Sequence, residues 1–148
     1  MSGFFYALNE QARLLFVDDD PILREFAQVN LASALAEIDV ASDGLEALEA
    51  LSRQTYDVVL VDLHMPRMDG FALLSAIRQN PELMHLPVIV ETGREDVESI
   101  DRAYQAGATS FVTKPLNWRL LGYQIRYALR SARTEAALRV RGPDVQAA

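Results

Sequence analysis

The chain has 148 residues, half of them apolar and 24% charged, which suits one globular domain with a substantial core. It has no cysteine, which excludes disulfides, thiolate metal sites and cysteine nucleophiles. The net charge of −7 divides into −12 over residues 1–113 and +5 over residues 114–148, and so acidic a body is a poor general binder of nucleic acid. The apolar stretch at the N-terminus is too short and lacks the basic flank of a signal peptide, and no run approaches the ~20 apolar residues of a membrane span. The expected compartment is the cytoplasm.

Residues 1–12 read as an N-terminal extension, a short turn of helix packed on the domain. Arg13–Val17 is the first predicted strand. Asp20 and Pro21 open helix one as N-cap and first helical residue, with Leu23, Phe26, Ala27, Asn30, Leu31 and Ala34 on its inner face. Glu37–Ala41 is a weaker second strand. Helix two starts at Ser42-Asp43-Gly44 with Leu45, Leu48 and Leu51 as its buried stripe, and Tyr56–Val61 is the most apolar strand. His64–Gly70 is a loop, broken by Pro66 and Asp69-Gly70, and helix three runs to Gln79 before Asn80-Pro81. Leu86–Glu91 is strand four; Glu95–Gln105 is helix four, with Val97, Ile100, Ala103 and Tyr104 inward and Gly107 closing it. Thr109–Thr113 is strand five. The last helix begins near Leu116 and meets no breaker before Gly142-Pro143. Five strand–helix units in this order predict an α/β fold with a doubly wound parallel sheet.

Four of the strands run into polar residues that phosphoryl-transfer chemistry uses: Asp18, Asp19 and Asp20 after strand one, Asp62 after strand three, Thr92 after strand four and Lys114 after strand five. In an open parallel sheet such groups gather beyond the carboxyl ends of the strands. Lys114 is the only lysine in the chain, so a compact ammonium stands where every other basic side chain is a guanidinium. Clustered carboxylates repel one another, and a hard divalent cation relieves them; Mg2+ favours a few carboxylates with waters and phosphate oxygens. Asp62 suits a carboxylate nucleophile, Thr92 a hydrogen bond to a phosphoryl oxygen, and Lys114 a counter-charge to the phosphoryl group. Asp20 reads as a helix cap.

The order Asp18-Asp19, Asp62, Thr92, Lys114-Pro115, with the loop Met65-Pro66-x-Met68-Asp69-Gly70, strongly resembles the receiver domain of two-component response regulators. The spacings of 43, 30 and 22 residues from Asp19 through Asp62 and Thr92 to Lys114 fit it, and the resemblance covers residues 13–130. It implies a flavodoxin-like five-stranded sheet in the order 2-1-3-4-5 with an extended C-terminal helix. It also implies phosphorylation of Asp62 by a histidine kinase or histidine phosphotransfer protein. Asp19 would bind Mg2+ directly, Asp18 largely through water, and the His64 backbone carbonyl would be a further ligand. Phe111 falls at the family's switch-aromatic position. His64 and Arg94, each two residues beyond a site residue, are placed to tune the lifetime of the phosphoryl group. Glu91 departs from the pattern, where the residue before the hydroxyl is usually apolar or small.

A haloacid-dehalogenase-type phosphatase would also use Asp18-x-Asp20, a Thr and a Lys. It needs an acidic metal-binding pair beyond the lysine, however, and only Glu135 and Asp144 follow Lys114. Residues 131–148 read as a helical extension and tail or linker. A weaker resemblance, carried by Asn117, Trp118, Leu120, Leu121, Gly122, Arg126, Tyr127, Leu129 and Arg130, points to receivers fused to cyclic-di-GMP enzymes or sensor modules. Trp118, Leu121, Ile125, Ala128, Leu129, Ala132 and Ala136 form one apolar stripe, with Arg119, Arg126, Arg130 and Arg133 on a different, solvated face. Beyond Arg130 the stripe has no sheet to cover, so a homodimer is expected, through the last helix or through the face of helix four, strand five and the last helix.

Overall fold

A computed structural model describes residues 11–93 and 97–147, with side chains through Val140. Arg94, the first two residues expected in helix four and all but the end of the N-terminal extension lie outside the described residues. The strands are β1 (Ala12–Val17), β2 (Ala36–Ala41), β3 (Val58–Asp62), β4 (Val88–Thr92) and β5 (Ser110–Thr113). The helices are α1 (Pro21–Leu31), α2 (Gly44–Arg53), α3 (Gly70–Gln79), α4 (Val97–Gln105) and α5 (Trp118–Ala147). The sheet is parallel throughout, in the order β2-β1-β3-β4-β5.

The apolar strands are explained by cover on both faces. Leu15, Val17, Val59, Val61, Val88 and Val90 pack with α2, α3 and α4. Leu14, Phe16, Val58, Leu60 and Ile89 pack with α1 and α5. The strand ends carry this alternation into the site: Asp18, Asp62 and Glu91 continue the rows of Phe16, Leu60 and Ile89. Each helix before the last begins with an acid wherever its start is described. Asp20, Asp43 and Asp69 accept the backbone N–H of Ile22, Glu46 and Ala72, each at 2.9 Å.

Several helix faces are narrower than their apolar content suggested. In α1 only Ala27 and Leu31 are buried, Phe26 is exposed, and the helix ends before Ala34. In α2 the buried residues are Gly44, Ala47 and Leu51, while Leu45 faces water. The close approach of Gly44 to the loop before α3 sets that rotation. In α4 only Ala103 is buried; Val97 and Tyr104 are exposed, because the helix touches the sheet through a small-residue strip. β1 starts at Ala12, one residue inside the expected extension.

The first half of α5 packs as its stripe predicts, with Leu121, Ile125, Ala128 and Leu129 buried. Burying a leucine or isoleucine contributes about 1.5–3 kcal/mol, so these residues fix the helix on the sheet. Two expectations for its second half need correction. The helix continues through Gly142-Pro143 to Ala147. The half-buried Ala132 and Ala136 do have a neighbour in the body. With Arg133 and Arg139 they line a cavity of about 710 Å³ against residues 51–57 and 82–87, at the base of the sheet. Arg133 Nη2 also donates to the Gln11 carbonyl at 2.8 Å. Arg126 is only partly solvated, its Nε buried without a hydrogen-bond partner.

Candidate functional site

At the carboxyl ends of β1 and β3, carboxylate oxygens of Asp18, Asp19 and Asp62 lie within 4.8 Å of one another. Asp18 and Asp62 are buried and Asp19 is exposed. The spacing suits oxygen ligation of a hard divalent cation, with the exposed Asp19 on the open side. Asp18 Oδ1 accepts the Asp20 N–H at 2.9 Å, and Arg24 donates to the Asp18 carbonyl at 2.8 Å, so the turn into α1 holds this acid.

Lys114 completes the site. Its Nζ lies 3.0 Å from Asp18 Oδ2 and 3.0 Å from Asp62 Oδ2. Burial alone would lower the ammonium pKa. The hydrogen bonds and charges of Asp62 and Asp18 outweigh that and hold it well above the ordinary lysine value, so it stays charged. Its backbone N–H donates to the Thr92 carbonyl at 2.8 Å, fixing the end of β5 to the end of β4, and the Lys114–Pro115 peptide is cis. Thr92 is buried beside it.

The other oxygen of Asp62 faces the loop. Asp62 Oδ1 accepts the His64 N–H at 3.0 Å, which leaves the His64 side chain in solvent, edge-on to Phe71 at 6.3 Å. The loop closes tightly: a methyl group on Gly70 would stand 2.5 Å from the Asp62 carbonyl oxygen. Phe111 is half-buried on β5, at 6.1 Å and 88° to Tyr104. The structure thus gathers Asp18, Asp19, Asp62 and Lys114, sets Thr92 next to them, and keeps Phe111 apart on the face shared by α4 and α5.

Glu91 belongs to the same row, in register between Asp62 on β3 and Val112 on β5, and is fully buried. It does not disturb the strand, since β4 runs straight through to Thr92. Sequence reasoning marked it as an oddity without placing it below the site. It missed two supports altogether, Arg24 on Asp18 and the pairing of Arg67 with Asp43.

The chain matches the response regulator receiver domain over residues 14–126. It belongs to that family. A probable cyclic di-GMP phosphodiesterase of Vibrio cholerae is 34% identical over 128 residues, covering 86% of this chain and 29% of that protein. Chemotaxis protein CheY-3 of the same species is 39% identical over 110 residues, covering 73% of this chain and 84% of that protein. Among solved structures, a putative response regulator from Chloroflexus aurantiacus superposes with a TM-score of 0.77 at 30% identity, over 82% of this chain and 99% of that one. This receiver spans less than two thirds of several relatives, among them 51% of the transcriptional regulatory protein CseB of Streptomyces avermitilis. Among its described residues no helix is long and apolar enough to cross a membrane.

Proposed function

We propose that Asp62 accepts a phosphoryl group from the phosphohistidine of a kinase or phosphotransfer protein. A carboxylate oxygen of Asp62 forms the new bond to phosphorus, the phosphorus–nitrogen bond breaks, and the imidazole keeps the electron pair. Asp18, Asp19, Asp62 and the His64 carbonyl would hold Mg2+, which when bound would offset the negative charge gathered at the site. Lys114 bears the remaining charge. In the resting state its ammonium already contacts Asp62, and the ion pair must open to admit a phosphoryl oxygen. Thr92 then closes on that oxygen, and Phe111 reads the movement toward α4 and α5. His64, exposed beside Asp62, and Arg94, two residues after Thr92 in the chain, set the lifetime of the aspartyl-phosphate. Hydrolysis by the domain itself resets the switch, so the chain is a signalling module with self-phosphorylation and autodephosphorylation chemistry.

The observation that carries this reading is the single ammonium at 3.0 Å from two buried carboxylates, beside a third acid. Incubation with Mg2+ and acetyl phosphate should label Asp62 alone. An alkali-stable, acid-labile label on His64, or full labelling of Asp62→Asn, overturns it.

Residues 13–130 act as the receiver and 131–148 as a helical extension, in the cytoplasm. The exposed Tyr104, Leu120, Tyr123 and Tyr127 on the face of α4, β5 and α5 support contact with a second copy. The length of the relatives supports the alternative that this receiver controls a longer protein, such as a cyclic-di-GMP enzyme or sensor.

A further inference from the structure

The loop from Asp62 to Gly70 is tied down a second time, at the start of α2. Arg67 adopts φ 64°, a left-handed backbone that disfavours any side chain but glycine. Something must hold it there. Its Nε donates to Asp43 Oδ2 at 2.6 Å, and its Nη2 pairs with the same oxygen. Asp43 is buried and spends Oδ1 on capping α2 through the Glu46 N–H. Next to it the Gly44 N–H donates to the Met68 carbonyl at 3.1 Å, so closely that a methyl group on Gly44 would stand 2.6 Å from Met68 Cγ.

We infer that Arg67 is a positioning residue for the phosphorylation site, clamping the loop to the start of α2 through Asp43. The loop backbone does two jobs at the site: the His64 N–H holds Asp62 Oδ1, and the His64 carbonyl is the proposed metal ligand. Neither group has freedom of its own once both ends of the loop are fixed. Gly70 is pressed on the Asp62 backbone at one end, and Arg67 is pinned to Asp43 midway. The Gly70 N–H still holds the Leu63 carbonyl at 3.1 Å, so releasing Arg67 frees the stretch from His64 to Met68, lets the peptide after His64 rotate its carbonyl away from the cation, and weakens the site before any chemistry occurs.

This inference rests on Mg2+ binding at Asp18, Asp19 and Asp62, and the test separates the two. Mg2+ alone is titrated into the unphosphorylated protein, followed by amide NMR shifts and by melting temperature. Arg67→Gly removes the guanidinium but accepts the left-handed backbone, Arg67→Ala removes it and keeps the strain, and Asp43→Asn keeps the helix cap while losing the charge. All three should bind Mg2+ about tenfold more weakly, the low end for loss of an outer partner of a metal ligand. The double variant Asp43→Asn/Arg67→Gly should be no weaker than either single one. Arg67→Ala should melt below Arg67→Gly because it keeps the strained backbone, yet both should lose the same Mg2+ affinity; a purely structural role would lower the melting temperature and leave that affinity at the wild-type value. Wild-type affinity in all variants, or additive losses, overturns the clamp. A wild-type protein that does not bind Mg2+ overturns the reading of the site itself.

Discussion

Replacing Glu91 with leucine should stabilise this domain, and increasingly so as pH rises. Glu91 is fully buried; Asp18 lies within electrostatic reach, yet neither Glu91 oxygen has a partner in hydrogen-bonding geometry. Burial, then the negative charges of Asp18 and Asp62, push its pKa well above the ordinary value, with Lys114 opposing. The folded protein therefore keeps this proton, whereas the unfolded chain releases it above about pH 4.5. Unfolding releases a proton throughout that window. The wild-type stability supported by protonated Glu91 is whole below the unfolded pKa and declines by up to about 1.4 kcal/mol per pH unit until the folded pKa is reached. An unpaired buried polar group costs about 1–3 kcal/mol, and leucine fills a similar volume. Each kcal/mol corresponds to about 2–4 °C in melting temperature for a chain of this size. Urea unfolding of wild type, Glu91→Leu and Glu91→Gln in metal-free buffer at pH 5 and pH 8 gives the comparison. The leucine variant should gain most at pH 8, and the glutamine variant should lack the pH slope. A gap between wild type and Glu91→Leu that is the same at both pH values, or a wild type more stable at pH 8, refutes the reasoning.

Two further outcomes follow from packing. Gly70→Ala should lower stability by about 1–3 kcal/mol and slow phosphorylation, because its methyl group would stand 2.5 Å from the Asp62 carbonyl oxygen and 2.7 Å from Leu63 Cα, which only a backbone shift relieves. Gly93→Ala, with open space around the added carbon, is the control and should be near neutral in the same melting and labelling assays. The full chain should sediment as a dimer and a chain ending at Arg130 as a monomer, since Leu138 and Val140 are exposed on the extension; equal, monomeric sedimentation removes the helix-mediated contact.

The fold and the centre of the site were legible because each rests on a local signal. β3 is apolar on both faces and ends in Asp62, and Lys114-Pro115 ends β5; a parallel sheet aligns such ends without further information. Helix faces were less legible. Val97 and Tyr104 share a helical side with Ala103, and only the three-dimensional fit of α4 to β4 and β5 decides that the small residue goes in. The surroundings of the second half of α5 were illegible for the same reason: that Ala132 and Ala136 face residues 51–57 across a cavity depends on how far those residues protrude, which no periodicity encodes. The positive φ of Arg67 had no signal, because an arginine in that loop reads as a solvated side chain. Glu91 was visible as an exception, but its place in the row of Asp18 and Asp62 required the register.

That register also explains why a phosphoryl group on Asp62 would be felt at α4 and α5. Thr92 and Thr113 are partners, as are Val90 and Phe111, and the Thr92 carbonyl holds the Lys114 N–H at 2.8 Å. The residues that carry the hydroxyl that would meet the phosphoryl group and the ammonium that would neutralise it are therefore tied by one backbone hydrogen bond, so a shift of either backbone is passed to the other. A ligand moves such an equilibrium only by its differential affinity for the two states. In the resting state Lys114 is fully occupied by Asp18 and Asp62, so the phosphoryl oxygens must offer it more than these two carboxylates do. In the proposed switch Thr92 would add to that difference by exchanging its resting contacts for a hydrogen bond to the phosphoryl group. An approach of Thr92 to Asp62 would free room on the side of Phe111, whose ring is half-buried and meets Tyr104 edge-on. An aromatic packed on the core on one side and met only edge-on by an exposed neighbour on the other has room to turn, and its two positions would present different surfaces to whatever binds α4 and α5.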